Sequence, residues 1–414
     1  MHVAQGVLGI AAILGIAWLV SEDRRAFPWR TVIAGMLLQL LIAAVLLKVP
    51  QSKAFFLALN EALMSVERAT AAGTTFVFGF LGGGELPYTE TAPGRSFVLA
   101  FRALPLVLVV SALSSLLFYW RVLPAIVRAI SRVLQRIMGV GGAVGLSAAA
   151  DVFVGMVEAP LLIRPYLQAM TRGELFSVMT CGMATIAGTV MFLYASFLAG
   201  TMPDAMGHII TASLVSTPGA ILLAAVMVPT GGRVTTGELT LPQPANSSMD
   251  AIAKGAIAGV ELLINIVAML VVFVSLVHLA NLVLGLLPPW AGEAVTLQRA
   301  LGTLMAPVMW LIGIPWEEAG AAGALMGTKT ILNEFIAYLD MAALPEGTLS
   351  ARSRTIMLYA MCGFANFGSL GILIGGLGTM APDRREEIVQ LGLRAVLSGT
   401  LATLLTAAIV GLLI

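Results

Sequence analysis

The chain has 414 residues, of which 59% are hydrophobic and 11% charged, with 23 basic and 22 acidic residues and a formal net charge of +1. Soluble domains carry about 45–50% apolar and about 25% charged residues, so a water-facing fold of this composition is excluded. Runs near ~20 apolar residues recur along the chain and exclude an outer-membrane barrel; the near-neutral balance leaves no basic face for nucleic acid.

Apolar runs near 4–20, 31–48, 98–118, 175–200, 207–228, 255–287, 355–378 and 391–414 are long enough to cross a bilayer. The first is not read as a signal peptide, since no Lys or Arg precedes it and no small-residue cleavage site follows. It ends in Ser21, Glu22, Asp23, Arg24 and Arg25, followed by Trp29 and Arg30. Basic residues mark the cytoplasmic side, so the N-terminus is expected outside and eight crossings return the C-terminus there. Arg352 and Arg354 then fall outside, against the bias. Trp18, Trp29, Trp120 and Trp290 sit near span ends, as interfacial aromatics do. Gly82, Gly83 and Gly84 lack the Gly-Lys-Ser/Thr of a phosphate loop and are expected to form a flexible outer loop.

After the third run, Arg121, Arg128, Arg132 and Arg136 follow at spacings of seven, four and four, with Leu123, Ile126, Val127, Ile130 and Leu134 mostly opposite. That pattern predicts one helix lying in the cytoplasmic interface. Two stretches, 138–171 and 298–345, are apolar yet broken by Gly, Pro and acidic residues. Broken backbone at bilayer depth is tolerated only inside protein or beside a watery cavity, so both are expected to be re-entrant hairpins. Each is followed by the same pattern, Cys181-Gly182-Met183-Ala184-Thr185 and Cys362-Gly363-Phe364-Ala365-Asn366, with a carboxylate upstream, Glu158 or Glu334. The side count places the hairpins on opposite faces, which makes an inverted repeat.

The expected fold is an all-α membrane protein of about eight transmembrane helices plus two re-entrant hairpins in an inverted repeat, with one interfacial helix. N-terminal scaffold spans occupy 1–118, the interfacial helix 119–137, and the first repeat 138–230. A linker and a long scaffold span fill 231–297, and the second repeat runs over 298–414.

An ionisable group at bilayer depth costs roughly 2.5–3.5 kcal/mol on insertion scales, so Asp151, Glu158, Lys329 and Glu334 need partners or a function. Lys329 can pair with a carboxylate and hold a broken helix together. Glu158 and Glu334, at matching places in the repeats, can accept hydrogen bonds from sugar hydroxyls or base N–H groups. Asp151, with the carbonyls around Val154 and with Thr185 and Ile186, can complete an oxygen shell for a small cation; the bland alternative is a carboxylate capping a helix. Glu261 and Asn265, one turn apart, read as a contact between helices. His2, His208 and His278 lack metal-ligand spacing, the methionines read as packing, and the two cysteines suggest no disulfide framework. No nucleotide-binding motif is present, so uphill transport would draw on an ion gradient; no cofactor is implied beyond a coupling ion, H+ or Na+.

Gly155-Met156-Val157-Glu158-Ala159-Pro160 with Arg164-Pro165-Tyr166 resembles the first-hairpin motif of the concentrative nucleoside transporters, and Gly327-Thr328-Lys329 with Asn333-Glu334-Phe335 resembles their second-hairpin motif. Cys362-Gly363-Phe364-Ala365-Asn366-Phe367-Gly368-Ser369 is similar to the family's seventh-span signature. The resemblance implies a homotrimer in a bacterial inner membrane, each protomer carrying a nucleoside with sodium or protons by an elevator motion. It further implies that Glu334, Asn366 and Ser369 hold the ribose, that Glu158 faces the base, and that Phe364 and Val190 line the pocket. The family's sodium shell falls on position 151, Val154, Thr185 and Ile186.

Two positions depart from the family pattern. Met156 and Val157 replace the usual Gln and Ser/Thr, whose hydrogen bonds to the base they cannot make, so base selectivity is expected to change. Asp151 stands where sodium-coupled relatives carry Asn, and its extra carboxylate can strengthen sodium binding or take up a proton; the proton is slightly favoured, because a protonated Asp resembles Asn. The expected function is therefore ion-coupled import of nucleosides. Alternatives are a modified nucleoside or a non-nucleoside ribosyl or sugar-like cargo, a non-transporting receptor, and an intramembrane hydrolase using Asp151 and Glu158 as an acid/base pair.

Overall fold

The computed structural model describes residues 2–89, 96–202, 204–231, 234–237, 245–289 and 294–414; Trp290 and much of the 231–247 linker lie outside them. The N-terminal part comprises α1 (His2–Leu19), α2 (Trp29–Lys48), α3 (Pro50–Phe78), α4 (Leu99–Arg102) and α5 (Leu106–Tyr119). The first repeat comprises α6 (Val122–Met138), α7 (Gly142–Ala150), α8 (Glu158–Leu161), α9 (Arg172–Ala184), α10 (Gly188–Leu198) and α11 (Ala205–Met227). A long helix, α12 (Ser248–Leu284), leads to the second repeat: α13 (Leu297–Leu311), α14 (Trp316–Ile331), α15 (Glu334–Ala343), α16 (Ala351–Met361), α17 (Phe367–Met380) and α18 (Arg385–Leu413).

Among the described residues, six helices or broken helices are long and apolar enough to cross a membrane, and two shorter apolar helices, Ala4–Leu19 and Phe367–Met380, complete the set. Each of the eight falls on one of the expected runs. The two repeats share an order: an amphipathic helix, a hairpin, a span broken midway, and a continuous span. The hairpins are α7–α8 and α14–α15, and the broken spans are α9–α10 and α16–α17.

Four details differ from the sequence expectation. The 29-residue α3 was hidden because Lys53, Glu61, Glu67 and Arg68 dilute its apolar residues. The glycines after it do not make a loose loop: Gly79–Gly82 form a 3-10 turn, Gly82 is buried, and the Thr74 hydroxyl donates to its carbonyl at 2.8 Å. Residues 297–311 are not part of the second hairpin but a separate helix along α14, in the place that α6 holds in the first repeat. Gly313, at φ +108°, and Pro315 divide the two helices. Finally, the runs near 175–200 and 355–378 are each interrupted, at 185–187 and 362–366.

The chain's two ends and the start of α16 come together. Gln5 donates to the carbonyls of Trp310 and Ile314, and Arg352 donates to Gly411 O at 2.8 Å and Ile414 O at 3.2 Å. Arg354 donates to Leu349 O at 3.3 Å. These arginines occupy carbonyls, two of them at the C-terminal end of α18, which accounts for their standing against the charge bias. At the opposite end, Glu22 sits between Arg172 (3.0 Å) and Arg394 (2.7 Å), while Glu387 faces Arg172 (3.6 Å) and Arg384 (2.7 Å). The Glu22 N–H and the Ser21 hydroxyl also cap the end of α11, at Met227 O and Val226 O. One short link thereby ties α1 to both repeats.

Two predictions follow from this framework. The hydrogen bond from Arg172, reinforced by the charges of Arg172 and Arg394 against partial burial, holds the Glu22 carboxyl below its ordinary value of 4.5. A lowered carboxyl stabilises the fold above its unfolded pKa and loses that contribution as pH falls through the folded pKa. Thermal unfolding in detergent should show Glu22→Gln melting below the parent at neutral pH, with the gap closing below about pH 4. At Gly188, an added Cβ would overlap the Phe153 carbonyl oxygen, whereas at Gly200 it would meet nothing within 4 Å. Gly188→Ala should destabilise by roughly 1–3 kcal/mol, as overpacking does, and Gly200→Ala should leave the melting temperature unchanged.

Candidate transport site

Four interruptions of helical backbone meet in the interior. The first hairpin leaves helical geometry after Ala150 and re-enters at Glu158; the first broken span is extended at Thr185 and Ala187. The second hairpin turns at Leu332 and Asn333, and the second broken span opens between Cys362 and Asn366. Each interruption exposes backbone groups that a continuous helix would pair. They pair with one another: Gly188 N–H donates to Phe153 O at 3.0 Å, and Phe364 N–H donates to Thr185 O at 3.1 Å. Two asparagines close the restarting helices. Asn333 Oδ1 accepts from Ile336 N–H at 3.0 Å, and Asn366 Oδ1 accepts from Ser369 N–H at 2.7 Å.

On the second-repeat side, Glu334 is 3% exposed and fully engaged. Its Oε1 accepts from the Tyr194 hydroxyl at 2.7 Å and its Oε2 from Asn366 Nδ2 at 3.0 Å. Lys329 is completely buried and donates to Ala365 O at 2.9 Å, near enough for its charge to bear on Glu334. It thus braces the second broken span by a carbonyl rather than by a direct carboxylate pair. Hydrogen bonds join Glu334, the Asn366 side chain and the backbone N–H of Ser369. Val190 is buried one turn before Tyr194 in the first broken span, and the half-buried Phe364 lies two residues before Asn366 in the second.

Tyr194 escaped the sequence reading. The available signal was a phenol inside the apolar stretch Phe192-Leu193-Tyr194-Ala195, whose hydroxyl needs a partner when buried. Its ring also packs 5.2 Å from Tyr338 and 6.1 Å from Phe335, centroid to centroid.

The first-repeat side is different. Asp151, 1% exposed at the end of α7, has no hydrogen-bond partner for either carboxylate oxygen among the described residues. Around the same breaks, the carbonyls of Val154 and Ile186 accept no backbone hydrogen bond from the described residues, and the Thr185 hydroxyl donates to Cys181 O at 2.9 Å. Carboxylate, carbonyl and hydroxyl oxygens are hard donors of the kind that oxygen-ligated cations take. No cluster of three or more His, Cys, Asp and Glu exists among the described residues.

Glu158 is exposed, with its carboxylate curled over Gly155, and the non-helical segment between it and Asp151 keeps the two off one helical face. Met156 is 6% exposed and lies against Gly182, where an added Cβ would come within 2.8 Å of Met156 Cβ. Val157 lies similarly against Gly376 of α17. Both side chains of the departing motif therefore pack against glycines of the two broken spans.

The sequence matches three family profiles: "Na+ dependent nucleoside transporter N-terminus" over residues 8–81, "Nucleoside recognition" over 100–201, and "Na+ dependent nucleoside transporter C-terminus" over 208–411. It is 38% identical to an uncharacterized transporter of Haemophilus influenzae, covering 100% of this chain and 98% of that one. It is 37% identical to the nucleoside permease NupC of Helicobacter pylori, over 99% of this chain and 97% of that one. Among solved structures it is similar to CNTnw in an inward-facing substrate-bound state, with a TM-score of 0.91, 38% identity and coverage of 100% and 99%. A doubly substituted CNTnw in an outward-facing state gives a TM-score of 0.90 at 38% identity, covering 100% and 98%. The chain is a membrane transporter and not an enzyme, and it belongs to the concentrative nucleoside transporter family.

Proposed function

We propose that this chain imports nucleosides across a bacterial inner membrane, coupled to a cation taken up at Asp151. One observation carries the coupling: a fully buried carboxylate whose two oxygens have no partner among the described residues, with the buried hydroxyls of Ser147 and Thr180 likewise unpartnered. A charge at that depth needs a counter-charge. The proton is the reading we favour, since it neutralises the carboxyl without further ligands. Sodium is the second reading, favoured by the free carbonyls of Val154 and Ile186 and by the family's Na+ dependence.

In this reading Glu334, Asn366 and Ser369 hold the ribose hydroxyls, with Tyr194 and Asn366 fixing the Glu334 carboxylate in place before substrate arrives. Such preorganisation lowers the cost of binding. Glu158, Phe364 and Val190 face the base. Met156 and Val157 turn to the broken spans and offer no hydrogen bond to a base, so recognition rests on the sugar more than on the nucleobase. The group holding the site moves as one body, elevator fashion, against α1, α2, α5 and α12. Inward- and outward-facing states of CNTnw at similar TM-scores support the alternation.

A homotrimer fits the exposure of α12. Its hydropathy makes it a span, yet only 6% of the most apolar window is buried, and Glu261 and Asn265 are exposed on it. Polar side chains at that depth find partners on a second copy of the same helix.

Uptake of a labelled nucleoside panel into proteoliposomes, with proton and sodium gradients imposed separately, tests the reading. Proton-driven uptake that Asp151→Asn abolishes is expected; uptake driven by sodium alone makes sodium the ion, and no uptake under either gradient refutes the cargo. Competition by free ribose but not by free base is the expected pattern for loose base reading. Tyr194→Phe removes one charge-assisted hydrogen bond to Glu334, and uptake at subsaturating nucleoside should fall about tenfold or more.

A further inference from the structure

Outside the transport site, two groups of arginines on the side expected to be cytoplasmic differ in their partners. Arg172, Arg384 and Arg394 are all paired with carboxylates. Arg30, Arg128, Arg132 and Arg136 are exposed and make no ion pair or side-chain hydrogen bond among the described residues. No Asp or Glu occurs within α6.

Beside this unpaired group runs a groove of about 520 Å³ where α2 meets the end of α6. Ile33, Leu37 and Leu41 of α2 and Ile137 of α6 line it, and Arg30 closes its cytoplasmic end. The three α2 side chains recur every four residues, on one face. From Arg30 to Leu41 the helix rises about 16 Å, close to the depth of one leaflet, half of a hydrocarbon core of roughly 30 Å. Trp29, 68% exposed, stands next to Arg30 as an aromatic at headgroup depth does.

We propose that this groove is a binding site for one anionic phospholipid of the cytoplasmic leaflet. An acyl chain lies along Ile33, Leu37 and Leu41, and the headgroup phosphate is held by Arg30. The occupant is a lipid because the lining is apolar over a full leaflet and cationic only at the headgroup end. It is anionic because Arg30, Arg128, Arg132 and Arg136 have no carboxylate partner among the described residues. The lipid touches both α2 of the N-terminal scaffold and α6, the opening helix of the first repeat, which abut where Gly35 meets Met138.

The test uses the full chain in nanodiscs made from equal amounts of phosphatidylglycerol and phosphatidylcholine with matched acyl chains. Native mass spectrometry then counts the lipids retained on the released protein. The parent should retain phosphatidylglycerol preferentially, and Arg30→Gln should cut that preference about fivefold, the equivalent of ~1 kcal/mol for one arginine near the surface. Leu37→Trp, at a lipid-facing position, should fill the groove and lower retention of both lipids. Arg354→Gln, at the opposite end of the molecule, should change neither. Equal retention of the two lipids by the parent would overturn the proposal, as would a preference that survives both Arg30→Gln and Leu37→Trp.

Discussion

A backbone in hydrocarbon has no water to complete its hydrogen bonds, and this chain interrupts four helices there. The solution is reciprocal. Phe153 of the first hairpin accepts from Gly188 of the first broken span, and Thr185 of that span accepts from Phe364 of the second. Glycine is needed where these backbones touch: a Cβ at Gly363 would come within 3.0 Å of the carbonyl oxygens of Met183 and Ala184. The long α18 wedges between them, its Gly399 pressed onto Met183 and Ala365. The first hairpin and the two broken spans depend on one another in this way: remove one of these three interruptions and its partner is left with an unpaired group in a medium that punishes it.

The same economy separates the two interior carboxylates. Glu334 has a phenol and an amide on its two oxygens and lies close to a buried ammonium. Asp151 has none of these. A carboxylate held by donors on both sides is fixed in direction and suited to present itself to a ligand. One with two bare oxygens, at the C-cap of a helix that breaks just beyond it, has the capacity to take something up.

The eight apolar runs, both hairpins and the amphipathic α6 were legible because hydropathy and helical spacing report on lipid and core directly. So was the grouping of Glu334 with Asn366, through motif resemblance. Less legible were features decided by tertiary partners. The interruptions at 185–187 and 362–366 sit in apolar stretches that would continue as helices if isolated, and only the facing backbone makes the break affordable. The helix α3 has too many polar residues for a hydropathy window, and α13 merged with its hairpin because Gly313 and Pro315 resemble the other breakers in that stretch. Tyr194 is an ordinary aromatic until Glu334 is placed opposite it.

The Tyr194–Glu334 bond joins the first repeat to the second, as does the Thr185–Phe364 bond. Neither half therefore owns a complete pocket. Selection on cargo acts on both halves at once, and a change in one is corrected most directly from the other. Two half-length chains inserted in opposite orientations would have to find each other before either had a pocket at all; joining them in one polypeptide makes that encounter independent of concentration. The different settings of Glu158, exposed over Gly155, and Glu334, buried between Tyr194 and Asn366, are what such a fusion permits, since two copies of one half-length chain would have given both the same surroundings.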